Sequence, residues 1–85
     1  MVGAIDELLV EALFVSHVQP SDAPSPDMVQ QAVTETIVRF GTDGCAGRVA
    51  AEFGDHPDTA VSRMRWALAT VRSVYPIPVR LALAG

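Results

Sequence analysis

The chain has one cysteine, no lysine, few aromatic residues and no long uninterrupted apolar run. Each shortage excludes something. A single thiol, Cys45, cannot form an internal disulfide, so the fold has no covalent staple and suits a reducing compartment. The first apolar stretch carries Asp6, Glu7 and Glu11 and lacks a basic flank. That pattern argues against both a signal peptide and a membrane span. The expected setting is the cytoplasm, with no membrane contact. Basic residues are few: six, all arginine, against ten acids, for a net charge of −4. Most nucleic-acid affinity comes from basic surface, so indiscriminate binding is excluded. The missing lysine needs no functional cause, since a GC-rich codon bias favours arginine.

What is present is ample apolar material. Eighty-five residues, 49% of them hydrophobic, are enough for one small helical domain and too apolar for a disordered chain. Ile5, Leu8, Leu9, Ala12 and Leu13 recur at helical spacing, which predicts a helix over 4–17. Prolines and small polar residues make 18–25 a loop. Ser25-Pro26-Asp27 is a strong helix start: a capping hydroxyl, a proline suited to the first position and an acid at the positive pole. Val29, Ala32, Val33, Thr36, Ile37 and Phe40 then mark a helix over 26–40, which Gly41 is expected to stop. A third helix is expected over 43–53, capped by Thr42 or Asp43 and ended by Gly54. A fourth is expected over 57–75, capped by Asp55 or His56, with Pro57 in its first turn and Pro76 ending it. The tail, 76–85, alternates Val79, Leu81 and Leu83 against Arg80 and Ala82 and reads as an extended arm. The expected fold class is all-α: a four-helix domain with a C-terminal arm.

Charge is not spread evenly. The six acids up to Thr42 face only Arg39, a balance of −5. From Asp43 onward four acids face five arginines, a balance of +1. Positive charge thus collects beside the segment from Gly47 to Leu68, which reads as helix, sharp turn, helix. In a helix-turn-helix a small residue sits at the close crossing, here Ala50, and an unrestricted one at the turn, here Gly54. Thr59, Ser62, Arg63, Trp66 and Thr70 fall on the expected outer face of the second helix, with Arg65 and Arg72 on its flank.

This spacing resembles the second half of region 4 in extracytoplasmic-function sigma factors, which reads the −35 promoter element. The matching residues are Gly54, Thr59, Ser62-Arg63 and Ala67, and the resemblance runs over about 49–72, under a third of the chain. Asp55, Ala60 and Trp66 depart from the family pattern, standing where a hydrophobic, a larger aliphatic and a basic residue are usual. The resemblance implies a DNA-facing helix. Thr59, Ser62, Arg63, Arg65 and Arg72 would carry the contacts. Arg63 and Arg65 would touch bases or phosphates, and Arg48 and Arg72 phosphates alone. So few cations bind weakly in a monomer, so a homodimer on double-stranded DNA is expected.

A second reading uses the same fold differently. The acidic first half repels DNA and suits a basic protein partner. Trp66, if exposed, would anchor that partner together with the apolar residues of the first helix. Catalysis is not expected. The chain has no phosphate-binding glycine loop, no nucleophile elbow and no histidine pair at helical spacing. His17, Cys45 and His56 match no metal-ligand spacing, so neither a metal nor a cofactor is expected.

Overall fold

The computed structural model describes residues 4–75. Within them the chain forms three α-helices and one short turn of 3-10 helix. Helix α1 spans Ala4–Val15, the 3-10 turn Pro20–Asp22, helix α2 Pro26–Asp55 and helix α3 Pro57–Val74. The all-α expectation stands in its coarse form: no strand occurs among the described residues. The count of four helices does not. The segments expected as separate helices over 26–40 and 43–53 belong to one long helix, α2. The expected C-terminal arm lies outside the described residues.

The reason for the merger lies in Gly41. It does leave the helical region, with φ 71° and ψ 177°, a combination open almost only to glycine. Yet the residues on both sides are helical with no loop between them, so the two stretches join across a kink at this one residue. A single residue bends α2 without ending it. Gly44, one turn on, is small for a different reason: an added Cβ would stand 2.9 Å from the Cβ of Phe40.

Other element ends follow local chemistry. The Ser25 hydroxyl accepts from the Met28 amide at 3.2 Å, and Pro26 takes the first helical position. Helix α1 stops at Val15, two residues short of the expected end. The Ser16 hydroxyl turns back to donate to the Leu13 carbonyl at 2.7 Å and accepts from the Val18 amide, so it closes the helix there. The 18–25 loop is itself ordered by a bond from the Gln19 amide to the Asp22 carboxylate at 2.9 Å.

The link between α2 and α3 is one residue, His56, which lies outside both the helical and the extended regions (φ −140°, ψ 65°). Its amide donates to the Glu52 carbonyl at 2.7 Å and its own carbonyl accepts from Ala60 at 2.9 Å. Gly54 was expected to be the unrestricted turn residue. It lies inside α2 instead, because one non-helical residue followed by Pro57 suffices to separate the two helices. An added Cβ at Gly54 would meet nothing.

Helix α1 forms the centre. Ala12, Leu13 and Phe14 are all buried in succession, which no single contact face can achieve. It packs against both α2 and α3, and those two also touch each other. Val29, Val33 and Cys45 of α2 and Ala60, Ala67 and Val71 of α3 complete the core. Phe14 and Phe53 stack with ring centroids 5.9 Å apart. Burial, and next to it the charge of Glu11, push the Cys45 thiol above its usual pKa, while Arg48 pulls the other way.

These contrasts predict opposite effects for two glycine substitutions. Gly41→Ala should destabilise by about 1–3 kcal/mol, because its φ is hostile to a side chain. Gly47→Ala, with open space around an added Cβ, should stabilise by about 0.5–1 kcal/mol. Urea unfolding midpoints check both. Cys45 should resist a thiol reagent in the native protein and react only as the core opens, since its thiolate is disfavoured. Modification that is fast without denaturant would contradict its burial.

Candidate functional site

The polar feature that the helices build most deliberately is the C-terminal end of α1. A helix ends with carbonyls that have no internal partner. Here they meet the guanidinium of Arg63, carried on α3. Its Nε donates to the Phe14 carbonyl at 2.7 Å. One terminal nitrogen donates to the carbonyls of Ser16 at 2.9 Å and Val18 at 2.8 Å, with a longer contact to Leu13 at 3.4 Å. The other reaches the Gln19 side-chain oxygen at 3.5 Å. The planar fork of arginine suits this divergent set of acceptors, which an ammonium could not span. The cation also lies at the negative pole of α1. Burial pulls the Arg63 pKa down and Glu52 acts against that. The group stays charged, as arginine does in proteins.

Phe14 and Trp66 flank the same guanidinium, with ring centroids 5.9 Å and 5.0 Å from its central carbon. Trp66 is half-buried and packs against the core. The residues expected to join it in a partner surface, the apolar side of α1, are largely inside.

The six residues expected to contact DNA are placed in different settings. Arg63 is turned inward onto α1. The Thr59 hydroxyl donates to the His56 carbonyl at 3.1 Å, at the start of α3. Ser62 is exposed and borders a shallow cleft with Thr59 and Arg63. Arg65 and Arg72 are exposed two turns apart on one side of α3. Arg48 is on α2, in grooves beside the end of α1. Ala50, expected at a close crossing of two helices, is exposed.

The structure joins Arg48 to residues given no binding role in the sequence. Arg39 and Arg48 lie over one ring, that of Phe40, at 5.2 Å and 4.0 Å from its centroid. With His17, Ser16 and Glu35 they line an open groove of about 540 Å³. A second groove of about 400 Å³ lies between Arg48, Glu52 and Arg63. The spacing of Arg39 and Arg48 points the other way, since it sets them on opposite sides of a straight helix. The bend at Gly41 between them hides the proximity from any helical-wheel argument.

Among the described residues, no group of three or more histidine, cysteine or carboxylate side chains could hold a metal ion. No helix there is long and apolar enough to cross a membrane. Comparison with known proteins returns no matching family model, no matching curated protein and no matching solved structure.

The Arg63 contacts make a measurable claim. Arg63→Met keeps the stem but removes every bond to the α1 terminus. It should lower stability by about 2–4 kcal/mol, and Arg63→Lys should recover little of the loss. Amide hydrogen exchange should show the 16–22 segment opening first. An unchanged urea midpoint in Arg63→Met would refute the latch.

Proposed function

We propose that this chain is an acidic helical module that binds a protein partner of basic character. The observation that supports it is the balance of exposed charge. Among the described residues Glu7, Asp22, Asp27, Glu35, Asp43, Glu52, Asp55 and Asp58 are exposed, against Arg39, Arg48, Arg65 and Arg72. Eight accessible carboxylates over four guanidiniums favour a cationic surface and oppose a polyanion. The arginine best placed by the sigma-factor resemblance, Arg63, is already bonded to four carbonyls. Releasing it to reach a phosphate would expose those acceptors, at a cost that a surface contact does not recover.

The DNA reading keeps one supporting observation: Arg65 and Arg72 stand exposed on the same side of α3. Two phosphate contacts per chain give slight affinity, even in a dimer. Fluorescence anisotropy separates the readings. A labelled arginine- and lysine-rich peptide should bind at low salt and weaken as salt rises, while a random DNA duplex should give no saturable signal. Asp55→Asn combined with Asp58→Asn should weaken the peptide complex. Salt-sensitive duplex binding abolished by Arg65→Gln and Arg72→Gln would overturn the proposal and restore the nucleic-acid reading.

A further inference from the structure

The groove over Phe40 brings together groups that neither reading joins. Arg39 and Arg48 come from opposite sides of the bend at Gly41, and both place their guanidinium over one ring. Among the described residues, neither has a hydrogen bond or an ion pair; beyond the ring contacts, Arg48 acts electrostatically on the buried Cys45. Glu35 precedes Arg39 by four residues, the spacing at which helical ion pairs form. It lines the same groove and is not paired with either arginine. The α1 terminus does not hold them, because Arg63 supplies its hydrogen bonds. Two like charges over one apolar surface, neither held in an ion pair among the described residues, gain from an anion that reaches both. Resting on the ring limits the freedom of both side chains, so less is lost when a ligand orders them.

We propose that this groove is a binding site for a phosphate dianion, either free or as a small monoester. A guanidinium offers parallel N–H donors that match the spacing of phosphate oxygens, and two of them match a double negative charge. His17, exposed on the rim, adds a further donor. Gly41 and Gly44 become part of the design. The first bends α2 so that Arg39 and Arg48 converge, and the second lets the Phe40 side chain lie close along the helix. This inference is independent of the protein-partner reading.

The test is an NMR titration of the isotope-labelled whole chain, following the arginine Nε–H signals. Inorganic phosphate and phenyl phosphate are added in separate arms against sodium chloride of matched ionic strength. Sodium acetate serves as the monoanion control. The expected result is saturable movement of the Arg39 and Arg48 signals, with a Kd on the order of millimolar, and weaker binding of acetate. Tighter binding of phenyl phosphate identifies a monoester as the preferred source, and equal or weaker binding identifies free phosphate. Arg39→Gln and Arg48→Gln should each weaken binding about tenfold or more, while Arg65→Gln should not. Circular dichroism verifies that each variant keeps its helices. Acetate binding as tightly as phosphate, equal shifts at Arg65 and Arg72, or no saturation would each overturn the site.

Discussion

The fold depends on how the end of its central helix is satisfied. Helix α1 is covered by α2 and α3, and the bonds made by its last carbonyls are part-buried. A helix end left unpaired there would cost several hydrogen bonds. Arg63 provides them from forty-nine residues away, through one rigid group. Every nearby feature adjusts to it. Trp66 packs beside it, Ser16 closes the helix below it, and Gln19 receives its remaining nitrogen.

That arrangement changes what the arginines mean. An arginine on the outer half of an amphipathic helix reads naturally as a solvent or ligand contact. Position 63 is intermediate: near enough to the buried stripe of Ala60, Ala67 and Val71 for a long side chain to reach across. The cations left accessible are split between α2 and α3, and neither group dominates the surface acids. A recognition surface for a polyanion needs the cations together. Among the described residues, Arg39 and Arg48 share one ring.

Much of the local structure was legible in the sequence. Ser25-Pro26 announced the start of α2 and Pro57 the start of α3, because capping and proline geometry act within a few residues. Of the stripe that its period marks on α3, Ala60, Ala67 and Val71 are buried, Met64, Leu68 and Val74 half-buried and Val61 exposed, and Gly41 was expected to interrupt the helix. What its conformation would do to the chain was not legible. A stop and a bend share the same residue, and they differ only in whether the chain beyond can pack while continuing. Cys45 decides it, being buried in the common core just past the bend. Gly54 misled in the other direction. Its place before Asp55-His56-Pro57 suggested a glycine turn, while one non-helical histidine makes the break instead. The role of Arg63 left no local trace, since its acceptors are main-chain atoms of another helix. No residue type marks such acceptors in a sequence.

The span of the Arg63 contacts also sets an order on how the molecule comes into being. Helix α1 is made before both helices that cover it, and it is the most apolar of the three. The cation at its end comes forty-nine residues after Phe14. Until α3 is made, α1 therefore presents an unsheltered oily surface. It can reach its final state only after position 63 has emerged. The three helices thus close together in one late step, and during that interval α1 is what a chaperone would meet.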